Sequence, residues 1–160
     1  MSALHLLVLA LHNVNRWLVV IGGAWLIAAS ASQAFAPATA RARGSLRRPW
    51  QLYVGSLHLQ VVLGVLLLLI SPVADAAWSD LGAAMRVRQL RFFVLEHPAV
   101  MVLGLVIAQR GSVRARHILE GTRAARISLL HAALSLLLIL TAVPWPFRDA
   151  VARGWWPARW

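Results

Sequence analysis

The sequence predicts an all-α protein, a four-helix transmembrane bundle with up-down-up-down topology in which residues 1–160 form one domain. Of the 160 residues, 60% are hydrophobic and only 13% are charged, whereas about a quarter of the residues in a soluble domain are usually charged. The apolar residues form four runs, each close to the roughly 20 residues that a membrane-spanning helix needs. The predicted spans cover about residues 4–29, 50–70, 90–109 and 127–143.

Helix-breaking residues predict where the four spans end. Pro37 and the alanine-, serine- and arginine-rich stretch around it are expected to end the first span. Ser71 and Pro72 end the second span, and the third is expected to end by Gly111. The fourth span stops at the segment PWPFR, residues 144–148, because proline cannot continue a helix.

The charge distribution predicts the orientation of the bundle. All sixteen basic residues are arginines, and the net charge is +11. A charge of this size can indicate nucleic-acid binding, but most of these arginines lie between the predicted spans, so no nucleic-acid partner is expected. Their position matches the excess of positive charge in cytoplasmic loops, next to anionic lipid, and it predicts that both termini lie on the periplasmic side. Two loops hold most of them, Arg41, Arg43, Arg47 and Arg48 in the first and Arg110, Arg114, Arg116, Arg123 and Arg126 in the second.

Ionisable residues inside the predicted spans point to a functional interior. Such residues cost roughly 2.5–3.5 kcal/mol on insertion scales, and they usually face the bundle interior and serve a function. One histidine alone is explained by a hydrogen bond to a neighbouring helix, but a histidine in every span favours a shared site. The chain has no cysteine, which excludes disulfides and thiolate metal sites. The residues are His5, His12 and Arg16 in the first span, His58 in the second, Glu96 and His97 in the third, and His131 in the fourth.

The depths of the histidines predict two diagonal pairs. From the 1.5 Å rise per residue, His12 and His97 lie roughly 12–14 Å from the outer ends of their spans, and His58 and His131 lie roughly 18 Å from theirs. In an up-down-up-down bundle the first and third spans are diagonal, as are the second and fourth. Two imidazoles that face each other across a bundle can hold a haem iron from both sides. Arg16 is then placed to hold a haem propionate or to pair with Glu96, the single carboxylate within the predicted spans.

Several interpretations of these pairs stay open. Two haems offset by only about 5 Å would collide, so either one or two haems are bound, or the four histidines converge on a small metal ion such as copper. Glu96 or His5 is a possible proton acceptor at a quinone site. Met101 is a further possible iron ligand, but its position on the apolar face of the third span is more typical of a core residue. Pro98 is expected to bend or loosen the helix beside His97.

Four segments together resemble a family of small bacterial four-span membrane proteins that are described as cytochrome b-like. The segments are LHNVNRW in the first span, LHLQVVLGVLLLLISP in the second, RFFVLEHPAVM in the third and PWPFR after the fourth, so the resemblance extends over nearly the whole chain. It implies a haem b-binding protein of the bacterial inner membrane. It also implies that His12, Arg16, His58 and His97 occupy the family's recurring polar positions.

Three functions follow as hypotheses. The leading one is a b-type cytochrome, without independent catalysis, that carries electrons between the quinone pool and a partner redox protein or complex. The second is an accessory or structural subunit of a larger respiratory or photosynthetic membrane complex. The third is a copper-handling membrane protein, although a transporter would usually show broken helices near the midplane or internal repeats.

Overall fold

The computed structural model describes residues 2–35, 45–117 and 121–154, and it is an all-α four-helix bundle. Within these ranges, four helical stretches are long and apolar enough to cross a membrane. These are helix α1 (Ala3–Phe35), helix α2 (Arg47–Ile70), a composite third span (Arg88–His117) and helix α7 (Thr122–Ala142). The third span consists of helix α5 (Arg88–Arg91), a π-helical turn (Phe92–Glu96) and helix α6 (His97–His117). Two short helices, α3 (Pro72–Ser79) and α4 (Leu81–Arg86), connect α2 to this span.

The contacts between the spans give the predicted up-down-up-down arrangement. From His12 to Gly22 along α1, the contacts on α2 move backwards from Gly64 to Tyr53, so these helices are antiparallel. Helices α6 and α7 are antiparallel in the same way. Because α1 also packs against α7, and α2 against α6, α1 lies diagonally opposite α6, and α2 lies diagonally opposite α7. We call the end where α1 begins and α7 ends the histidine end, and the opposite end the basic end.

Two of the predicted span ends agree with the structure, and two helices continue beyond the predicted apolar runs. Ser71 follows α2, and its hydroxyl accepts a hydrogen bond from the Ala74 N–H at 3.1 Å, which starts α3 at Pro72. Helix α7 ends at Ala142, before PWPFR. However, α1 continues past residue 29 to Phe35, and α6 continues through Gly111 to its last residue at 117. Pro37, predicted to end the first span, lies outside the described residues, as do Arg41 and Arg43. One interior glycine costs only about 1 kcal/mol, and alanine-rich polar segments remain good helix formers after the apolar run has ended.

Hydrogen bonds cross the interior between α2 and α7. The Trp50 indole N–H donates to Ser128 Oγ at 3.1 Å, so this tryptophan is buried in the bundle. One level closer to the histidine end, the Tyr53 hydroxyl lies 2.8 Å from Ser135 Oγ, which donates to the Gly104 carbonyl at 2.8 Å. Helix association in lipid depends on packing and on such interhelical bonds. Side chains of the two helices therefore fill the interior between α2 and α7 at these levels.

Gly111 is the position where a methyl group is expected to disturb the bundle most. A Cβ at this position would overlap the Cβ of His131 and would lie 3.0 Å from Cη2 of Trp50. We expect Gly111→Ala to push α6 away from α7 and to lower the free energy of unfolding by about 1–3 kcal/mol. Gly55→Ala is the matched control, because nothing lies within 4 Å of the added Cβ. Thermal unfolding followed by circular dichroism in one detergent tests this, and equal midpoints for the two variants would contradict it.

Candidate functional site

His12 and His97 meet across the α1–α6 diagonal at the histidine end. Their ring centroids are 6.3 Å apart, and the ring planes are inclined by 60°. Both residues are half-buried, and the Phe92 ring lies 5.8 Å from the His97 ring, centroid to centroid. The structure thus brings together the diagonal pair that the depth estimate placed at one level.

A carbonyl at the end of α7 fixes the orientation and tautomer of His97. Nδ1 of His97 lies 2.8 Å from the carbonyl oxygen of Ala142. Because a carbonyl can only accept a hydrogen bond, Nδ1 carries the proton and Nε2 keeps its lone pair. Histidines that ligate metals usually donate their second ring N–H to a carbonyl or carboxylate in this way. His97 therefore has the hydrogen bonding of a metal ligand.

A buried amide network fixes the turn of α1 that carries His12. Gln60 donates from Nε2 to the His12 carbonyl at 3.1 Å and accepts through Oε1 from Nδ2 of Asn15 at 2.7 Å. Asn15 also donates to the Ser56 carbonyl at 2.9 Å. In the described part of the chain, Nδ1 of His12 is buried and has no hydrogen-bond partner. Sequence reasoning missed Asn15 and Gln60, although uncharged amides within apolar spans are a signal of interhelical bonds.

The π-helical turn before His97 follows from the proline after it. In a regular α-helix the ring of Pro98 would clash with the carbonyl of Val94, four residues earlier. The helix forms a wider π-helical turn instead, in which the N–H of His97 donates to the carbonyl of Phe92, five residues earlier. This confirms the predicted loosening beside His97. Single π-helical turns occur frequently at functional sites.

Three arginines give the histidine end a positive charge around the pair. Arg16, one turn from His12, is buried, and its Cζ lies 5.4 Å from the centroid of the Trp17 ring. Arg148 and Arg153, in the segment after α7, lie over the rings of Phe92 and Phe93 at 5.0 and 4.7 Å. Sequence reasoning missed these two, because their positions depend on how the segment folds back over the bundle.

Glu96 has a different partner from the one proposed from the sequence. Its Oε1 accepts a hydrogen bond from Nε of Arg91 at 2.7 Å, and both side chains are about two-fifths exposed, 40% and 44%. The suggested pairing of Glu96 with Arg16 is replaced by this local ion pair, because Arg91 directly precedes the π-helical turn that ends at Glu96. His5 is buried at the start of α1, and Met101 belongs to the main apolar core.

His58 and His131 do not form the second diagonal pair. Each ring is bonded through Nδ1 to the carbonyl four residues earlier in its own helix, Val54 at 2.8 Å and Ile127 at 2.9 Å. His58 is exposed on the surface of α2, whereas His131 is half-buried beside α6 with Nε2 3.5 Å from a nitrogen of Arg114. The expectation that all four imidazoles turn inward is wrong for His58, because the helix presents its neighbour Leu57 to the core instead.

The ligands that the site offers are two imidazoles. Across the described ranges, no three histidine, cysteine, aspartate or glutamate side chains lie close enough together to hold a metal ion. Two imidazoles would nevertheless be enough for the protein to hold a haem, because the macrocycle itself supplies the remaining ligands to iron.

No family model, curated protein or solved structure matches the chain.

Proposed function

We propose that the protein binds one b-type haem between His12 and His97 and carries electrons between the quinone pool and a partner redox protein or complex. The observation that supports this is the 6.3 Å separation of the two ring centroids across the bundle. If both imidazoles held one iron, bonds of about 2 Å to each nitrogen would leave the two ring centres about 6 Å apart. The observed separation is therefore compatible with His12 and His97 holding one iron between them.

The charge around the pair suits an anionic group. Gly64 lies against the His12 ring, since a Cβ there would be 3.5 Å from Cε1, which is ordinary van der Waals contact. Arg16, Arg148 and Arg153 supply the positive charge that would neutralise the propionates. Haem, when bound, supplies a one-electron iron couple, and the protein sets its potential through the axial ligands, burial and nearby charge.

The interior of the bundle supports one haem and not two. His58 and His131, the second predicted pair, do not face each other. The hydrogen-bonded side chains of Tyr53 and Ser135 fill the interior between α2 and α7 instead. The copper hypothesis has less support, because the described residues place no third ligand beside His12 and His97. We therefore assign both imidazoles to a single haem b.

The charge difference between the two ends supports the proposed location in a bacterial inner membrane. In the sequence, the two loops at the basic end contain nine arginines and one acidic residue, Glu120, whereas Asp75, Asp80, Glu96 and Asp149 accompany the arginines at the histidine end. The positive-inside rule then places the basic end in the cytoplasm. Both termini and the haem lie towards the periplasm, where a partner redox protein would receive or supply electrons.

An absorption spectrum of the purified protein tests the proposal. The protein is produced in cells supplied with haem precursor, and spectra are recorded before and after dithionite reduction, with a pyridine haemochrome assay for haem content. We expect a b-type α-band on reduction and about one haem per chain. A helical, monodisperse preparation with no haem band, or with copper in place of haem, would contradict the proposal.

A further inference from the structure

His58 is an ionisable residue that faces lipid. It lies in the middle of α2, which has 24 residues, and it is exposed on the outer surface of the bundle. Its neighbours on that surface are apolar, with Leu59 48% exposed and Val62 55% exposed. Ionisable residues within a span almost always face the interior or a cavity, so the exposure of His58 calls for a ligand or partner.

The ring of His58 presents a fixed hydrogen-bond acceptor to the bilayer. Nδ1 lies 2.8 Å from the Val54 carbonyl, so Nδ1 is the donor, and in the neutral ring Nε2 keeps its lone pair. Nothing in the acyl chains of a lipid can donate a hydrogen bond to it. Val65, two turns further along α2, is also 50% exposed, so this side of the helix is open to molecules that diffuse in the membrane.

The chemistry of this acceptor selects its ligand. A second copy of the chain would present the same acceptor, and two Nε2 lone pairs have no proton to share. The ligand must instead dissolve in the bilayer and carry an O–H group. A quinol has an apolar ring, a lipid-soluble tail and phenolic hydroxyls. Gly55 lies one turn from His58, and nothing lies within 4 Å of the position of its missing Cβ, so a flat ring has space against the α2 backbone.

The position of His58 relates this surface to the haem site. His58 lies six residues from Gly64, or about 9 Å along α2 at the helical rise per residue, and Gly64 lies beside the His12 ring. We propose that His58 binds the head group of a membrane quinol by accepting its hydroxyl proton in a hydrogen bond at Nε2. This inference deepens the proposed function. It rests on that function only in that the bound haem would receive the electrons of the quinol, because the binding of the quinol itself requires no haem.

Two measurements on the full-length protein in nanodiscs test the inference. The first is the rate at which a short-chain benzoquinol reduces the bound haem, with dithionite reduction as the reference. We expect His58→Phe to slow reduction by the quinol by about tenfold while haem content and dithionite reduction stay the same. His58→Gln keeps an acceptor and is expected to retain most of the rate, and His117→Phe, at an exposed histidine of the basic end, is the control. A wild-type rate in His58→Phe would overturn the inference.

The second measurement is labelling by a photoreactive azido-quinone with peptide mapping, which needs no haem. We expect label on the α2 segment around His58 that excess quinol displaces and that His58→Phe loses. Label confined to other segments, or disulfide formation between copies of His58→Cys that assigns the surface to a second chain, would overturn the inference. Failure of the proposed function would instead appear as an absent haem band with the labelling preserved.

Discussion

Replacing His97 with alanine is expected to reduce bound haem by about tenfold or more, and replacing His12 with alanine is expected to have the same effect. Loss of a residue that only orients a metal ligand typically costs about 10–100-fold in affinity, and each of these substitutions removes a proposed ligand itself. The haem-to-protein ratio of each purified variant, measured by pyridine haemochrome, gives the result.

Matched variants separate loss of the ligand from loss of the fold. His131→Ala removes a histidine that is bonded within its own helix and to Arg114, so we expect it to keep its haem. Helical content by circular dichroism and elution from gel filtration show whether His97→Ala folds. His97→Gly with added imidazole is expected to recover the haem spectrum. Full haem content in His97→Ala, or equal losses in His97→Ala and His131→Ala, would refute the assignment.

The size of the side chain at position 64 is expected to decide whether haem enters. A Cβ at Gly64 would lie 3.5 Å from Cε1 and 4.0 Å from Nδ1 of His12, which is ordinary van der Waals contact. Gly64→Ala is therefore expected to bind haem normally, with a stability change of about 1 kcal/mol or less. Gly64→Phe has to place its ring beside the imidazole, and we expect it to lose most of its haem.

The control for position 64 is another glycine on the same helix. Gly55→Phe adds the same bulk to α2 where nothing lies within 4 Å of the new Cβ, and we expect its haem content to match that of the unmodified protein. Haem content measured side by side for the three variants tests the prediction. If Gly64→Phe bound as much haem as Gly55→Phe, the proposed haem site beside His12 would be wrong.

The architecture could be predicted from the sequence because hydropathy and helix breakers act locally. Ser71 and Pro72 end α2 through their own backbone chemistry, and this holds whatever surrounds them. The order of four spans joined by short connections then places α1 opposite α6. The meeting of His12 and His97 follows from this order and from the number of residues between each histidine and the end of its span.

The parts that were not predicted depend on which side of a helix faces the core. A depth estimate counts residues along the axis, but His58 lies about 100° round the helix from Leu57, and only packing decides which of the two is buried. The interior between α2 and α7 is filled by Tyr53 and Ser135, whose bond forms only when the helices are assembled. Arg148 reaches Phe92 for the same reason, through the fold of a segment that has no regular periodicity.

The electron paramagnetic resonance spectrum of the oxidised protein tests most directly whether His12 and His97 share one haem. Two imidazole ligands hold ferric iron in the low-spin state, so we predict one low-spin signal that accounts for about one haem per chain. The signal is expected to disappear in both His12→Ala and His97→Ala. A high-spin signal in the unmodified protein, or a low-spin signal that persists in either variant, would contradict the account.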